Sequence, residues 1–116
     1  MNSNDSTSMD VTAQIRHLLY CLGIPPVYKG FFQVSLAVSL AVDQQERLLL
    51  VTKLIYPQVA KCYGTTWSCV ERNIRTISEI AWLRNRPMLE ELSHQPLYKR
   101  PTASAFVAIL AAQFWE

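Results

Sequence analysis

Glycine is scarce in this sequence, with three among 116 residues. A turn-rich all-β fold needs glycine at many tight turns, so the count argues against that class. Charge is sparse too: 17% of residues are charged and the net charge is +2, too little by itself to name a nucleic-acid partner. The cysteines, Cys21, Cys62 and Cys69, are odd in number and form no C-x-x-C pair. They suit a reducing compartment, where free thiols behave as small hydrophobes, and this points to the cytoplasm. Met1 to Asp10 lacks the basic start and apolar run of a signal peptide. Long hydrophobic runs are absent as well. The most apolar stretch, Phe31 to Val42, is broken by Gln33, Ser35 and Ser39, whereas a bilayer span needs about 20 apolar residues.

What is present is a core-forming chain. Half the residues are hydrophobic, enough to bury an interior, and the length is that of one domain. The six prolines fall where helices would begin or end. Residues 1–9 are rich in Asn, Ser, Thr and Asp and are expected to form a disordered tail, leaving residues 10–116 as a single helical domain.

The pattern predicts an all-α fold of about six helices. Asp10 or Thr12 can cap a first helix whose apolar positions Val11, Ile15, Leu18, Leu19 and Leu22 follow the helical repeat, with Gly23 and Pro25-Pro26 ending it. Val34, Leu36, Val38, Leu40 and Val42 alternate as a strand would. The richness in Ala and Leu and the lack of a hairpin turn favour a helix from about Lys29 to Val42, buried on most of its surface. Leu48 to Ile55 continues as helix until Tyr56-Pro57 breaks it, and Pro57 fits the first turn of a short helix through Tyr63. Gly64 supplies a tight turn, and Thr65 or Thr66 caps a further helix to about Leu83. Pro87 ends that region, Met88 to Leu92 form one more turn, and Thr102 or Ser104 caps a last helix.

Residues 57–83 have the form of a helix-turn-helix. Ala60 is the small residue where two helices cross closely, Gly64 sits four residues later at the turn, and Val70 pins the second helix to the first. At about 100° per residue, Val70, Ile74, Ile77 and Ala81 form one buried stripe. Ser68, Arg72, Arg75 and Glu79 face the other way, with Glu71, Cys69 and Thr76 at the margins. Such a face is ordinarily just solvated, with pairs such as Arg75–Glu79 along it. Following a Pro-started helix, a small residue and a turn glycine, it reads instead as a surface for duplex DNA. Arg72 and Arg75 can fork onto guanine and Glu71 can accept from cytosine. Ser68, Thr66 and Lys61 are the candidates for phosphate contact. Charge agrees: residues 57–86 carry an excess of three positive charges, residues 1–56 balance, and residues 87–116 are net negative by one.

The run from Ile55 through Trp82, which includes V-E-R-N-I-R, resembles the C-terminal effector domain of the sporulation stage-zero response regulators of endospore-forming Firmicutes. So do L-G-I-P-P-V-Y-K-G-F-F at Leu22 to Phe32 and P-T-A-S-A-F-V-A at Pro101 to Ala108. The resemblance implies sequence-specific duplex binding, head-to-tail dimers on tandem sites, and contact with RNA polymerase. It implies helix for Phe31 to Val42, base reading by Glu71, Arg72 and Arg75, and a phosphate-facing Ser68. Two departures stand out. Cys69 occupies a position where the family usually has arginine, and no receiver domain is expected within this length.

No other chemistry is expected. His17 and His94 lie far apart, neither is expected to have a Cys, His or carboxylate at ligand spacing, and the sequence is read as holding neither metal nor cofactor; no phosphate loop, Ser/His/Asp set or paired carboxylates suggest an enzyme. Cys69 lies near a helix N-terminus, which lowers a thiol's pKa. Trp67, Trp82 and Trp115 read as core or edge packing. The resulting expectation is a cytoplasmic, nucleoid-associated transcription regulator. The alternative is an interaction module that pairs with a full-length regulator or RNA polymerase without reading DNA.

Overall fold

The computed structural model describes residues 3–115, with side chains from Val11 onward. The chain forms α1 (Ser3–Cys21), α2 (Gly30–Asp43), a 3-10 helix (Gln45–Leu50), α3 (Val51–Leu54), α4 (Tyr56–Tyr63), α5 (Trp67–Ser93) and α6 (Ala103–Ala112). No strand occurs among the described residues. The all-α expectation therefore holds.

Helix α2 is the hub. It packs against α1, α4, α5 and α6, so residues on several of its faces are buried, among them Phe31, Val34, Ala37, Val38 and Ala41. This explains the strand-like alternation of its sequence: a helix enclosed by neighbours has no polar face to reveal its 3.6-residue period. Its two interior serines bond backward to carbonyls, Ser35 Oγ to Phe31 at 2.9 Å and Ser39 Oγ to Leu36 at 2.8 Å, which satisfies their hydroxyl protons without a partner helix. Gly30 opens α2 hard against α5. A methyl at Gly30 would stand 2.9 Å from the Asn73 carbonyl oxygen, a contact that backbone cannot yield cheaply. Asn73 then donates from Nδ2 to Oε1 of the buried Gln33 at 3.0 Å, so the two helices are joined by packing and by a hydrogen bond.

Three local expectations need correction. Helix α1 begins at Ser3, ahead of the caps expected at Asp10 or Thr12, and residues 3–9 contain no Gly or Pro to interrupt it. Leu48 to Ile55 is not one helix. A 3-10 helix ends at Leu50, whose φ of −140° and ψ of 59° leave the helical region before α3 starts. Leu49 and Leu50 are exposed, so no packed apolar face holds this stretch in a regular helix. Helix α5 also continues past Leu83, but with a break at Asn85 (φ −151°, ψ 57°). There the Asn85 side-chain oxygen accepts from the Met88 N–H at 3.3 Å, capping a second segment in which Pro87 sits in the first turn and needs no helical donor.

Candidate nucleic-acid interface

The pairing of α4 with α5 is built locally. Pro57 lies in the first turn of α4, where a missing N–H costs nothing. Gly64 ends that helix in the left-handed region (φ 62°, ψ 40°), and its N–H and that of Thr65 both return to the Ala60 carbonyl. Thr66 then caps α5, its hydroxyl oxygen accepting from the Cys69 N–H at 3.2 Å. Ala60, Val59, Val70, Ile74, Ile77 and Ala81 are all buried, so the small residue and the apolar stripe seat α5 on its neighbours as the sequence predicts.

Seating the stripe turns the opposite face outward. Arg72 and Arg75 are exposed, and half of the Arg75 side chain (51%) is open to solvent against 39% for Glu71. Arg75 Nη1 lies 4.0 Å from Glu71 Oε1, a loose pair one turn apart that neither group needs for stability. Arg72 Nη2 approaches Cys69 Sγ at 3.7 Å. The Cys69 thiol is held below its ordinary pKa, chiefly by hydrogen bonds with the Thr66 and Thr65 hydroxyls and also by the nearby Arg72 charge. Ser68 is exposed, with its hydroxyl 3.2 Å from that of Thr66, and Lys61 is exposed on α4. Of the two threonines the sequence offered as cap, Thr66 is the one that serves, so its hydroxyl is already engaged at the helix start. Trp67 is a half-exposed residue (47%) on the first turn of α5, at the edge rather than in the core.

The charge map differs from the one drawn by chain segment. Arg84 is exposed but engaged, donating to the Gly23 carbonyl at 2.7 Å and to the Tyr28 hydroxyl at 2.8 Å with its guanidinium 5.5 Å from the Tyr28 ring centre. Arg86 stacks on Trp82 at 4.3 Å, donates to the Leu97 carbonyl and lies near Glu90. Both serve the fold. In their place, Lys99 and Arg100, from the segment with net negative charge, stand beside Arg75 on the exposed face of α5. Arg100 Nη1 bonds Glu79 Oε2 at 2.9 Å, which replaces the Arg75–Glu79 pair expected along the helix. A buried bond from Ser78 Oγ to the Pro101 carbonyl (2.9 Å) fixes the same junction. The first half of α5 is consequently a ridge between two clefts. One is walled by Arg72, Lys29, Tyr63 and Asn73, the other by Arg75, Lys99 and Arg100 with one carboxylate, Glu71, among them. Sequence reasoning missed Lys29, Lys99 and Arg100. The only local hint was K-R-P-T just ahead of a helix cap.

Over residues 6–114 the sequence matches the family described as sporulation initiation factor Spo0A C terminal. The chain belongs to this family. It is a DNA-binding domain of the sporulation transcription-factor type, and the Spo0A C-terminal family is one of transcription factors rather than of enzymes. The match spans every described helix that builds the ridge and both clefts, from α2 through α6. No helix among the described residues is long and apolar enough to cross a membrane. One further pairing escaped the sequence reading: His17 and Cys21, four residues apart on α1, place Nε2 and Sγ 3.4 Å from each other.

Proposed function

We propose that this Spo0A C-terminal domain reads duplex DNA by seating the first half of α5 in the major groove. Arg72 and Arg75 meet guanine edges there, and Glu71 accepts from a cytosine amino group. Ser68 and Lys61 hold phosphates at the helix start, joined by Thr66 through its backbone. Lys29 on one flank and Lys99 with Arg100 on the other face the two strands of the backbone. The observation that carries the reading is the ridge with a basic cleft on either side: a major groove is likewise bounded by two phosphate ribbons. Glu71 and Arg75, already within 4.0 Å of each other, are pre-positioned by their mutual attraction. Head-to-tail pairing on tandem sites, contact with RNA polymerase and residence on the nucleoid of the cytoplasm follow as parts of the same proposal.

The decisive experiment is selection of bound duplexes from a random pool, followed by a salt titration on the selected site. The expected result is enrichment of one motif, and an affinity that falls with salt at a slope of about −0.9 per phosphate neutralised. Lys99→Ala should weaken all duplexes alike and reduce that slope by about one unit. Failure to enrich any motif, with no duplex retained at low salt, would overturn the proposal. If the chain then co-purified with RNA polymerase or a full-length regulator, the interaction-module reading would take its place.

A further inference from the structure

We propose that His17 and Cys21 are half of a zinc site, completed by the same two residues of a second copy of this chain. Both side chains are exposed on the outer face of α1, four residues apart and therefore one turn above each other. This is the spacing at which two ligands on one helix can share a metal, as the paired histidines of H-E-x-x-H do. The separation fits as well. With Zn–N near 2.0–2.1 Å and Zn–S near 2.3 Å, a tetrahedral ion places its nitrogen and sulfur ligands about 3.5 Å apart. Nε2 and Sγ already stand at 3.4 Å, in hydrogen-bond contact, so the two donor atoms have the separation a zinc ion needs.

The chain alone offers only two ligands. Among the described residues no three His, Cys, Asp or Glu side chains gather at metal-binding distance. Two coordination positions are left over, and a second copy related by a two-fold axis, a pairing separate from the head-to-tail one on DNA, supplies an imidazole and a thiolate in the same geometry, giving Cys2His2. His17 also walls an apolar cleft with Leu18, Leu92 and Phe114, surface that the second copy would cover. On binding, each Cys21 thiol loses its proton to solvent and each histidine coordinates as the neutral imidazole. The site lies well away from the reading face. The Cys21 carbonyl accepts from Asn85, at the break in α5, and about 18 Å of helix separates Arg72 from Arg84 just before that break. A zinc-bridged pair would thus present two reading heads on surfaces the metal leaves uncovered.

The test uses the full chain under a non-thiol reductant, titrated with cobalt(II) and then competed with zinc(II). The expected result is the visible absorption of tetrahedral cobalt–thiolate, saturating at one metal per two chains and bleached by zinc. Light scattering should show a doubled mass that a chelator reverses. Cys21→Ser and His17→Ala should each abolish both signals, while Cys62→Ser and Cys69→Ser should keep them. Because His17 and Cys21 are exposed and away from the ridge, Cys21→Ser should fold and retain duplex DNA like the parent, which separates this proposal from that of DNA reading. Saturation at one metal per chain without a change in mass, or cobalt absorption that survives Cys21→Ser, would overturn it.

Discussion

The two ends of α5 carry the same residue type to opposite ends. Arg72 and Arg75, near its start, have only a loose carboxylate or a thiol within reach and remain open to solvent. Arg84, nine residues beyond Arg75 and still in the same helix, gives two short hydrogen bonds to the α1–α2 connection, and Arg86 is held by Trp82, Leu97 and Glu90. The difference lies in the surroundings. Both pairs are exposed, but the loop after α1 and the stretch before α6 offer carbonyl, hydroxyl and carboxylate partners to the second pair. An arginine count along a helix therefore measures binding capacity only after the arginines committed to the fold have been set aside.

This contrast can be broken by mutation. The largest effect is expected at the exposed end: Arg75→Ala should cost about 1–3 kcal/mol in affinity for the selected duplex and relax base preference at one position, with thermal melting unchanged. Mobility shift against single-base variants of the site measures both. At the other end, Arg84→Ala should leave duplex affinity intact and lower stability by about 1–2 kcal/mol, the scale of hydrogen bonds from a charged group at a partly exposed site. Chemical denaturation reads that loss. If Arg84→Ala abolished DNA binding while melting normally, the division of the helix into a reading half and a structural half would be wrong.

The smallest effect concerns Tyr56, which lies under the reading face against α5. Burial, with the Glu71 carboxylate adding to it, pushes its phenol up to about 12 from the ordinary 10.0. The folded state therefore holds the proton more tightly than the unfolded chain. Its contribution to stability is complete below pH 10 and is lost as pH rises through about 12. Tyr56→Phe should show little change at neutral pH and a shallower fall in stability across that alkaline window, measured by denaturation at a series of pH values.

Much of this was legible in the residues. The α4–turn–α5 unit is encoded locally: proline at a helix start, alanine where two axes cross, glycine with positive φ, threonine as cap, and an apolar stripe at helical spacing. Each of these acts on neighbours within a few positions, so the outward direction of Arg72 and Arg75 follows from the stripe alone. The kink in α5 was legible too, since Pro87 cannot extend the helix before it and Asn85 can cap the one after. The His17–Cys21 spacing is equally local.

What lay out of reach involves long separations in sequence. Lys99 and Arg100 join the reading face only because Ser78 and Glu79 anchor the entry to α6, across more than twenty residues. Lys29 reaches the opposite cleft because Gly30 allows α2 to rest against the Asn73 backbone. The donors of Arg84 are taken up by a glycine carbonyl and a tyrosine that precede it by some sixty residues. The amino-acid sequence by itself determined the helices, their caps and which face of α5 is dry. Only the tertiary structure decided which charges flank the exposed face and which serve the interior. Periodicity and capping arise from contacts within a turn or two, whereas the partner of a long cationic side chain is chosen by whichever distant segment the packing of α2 brings beside it.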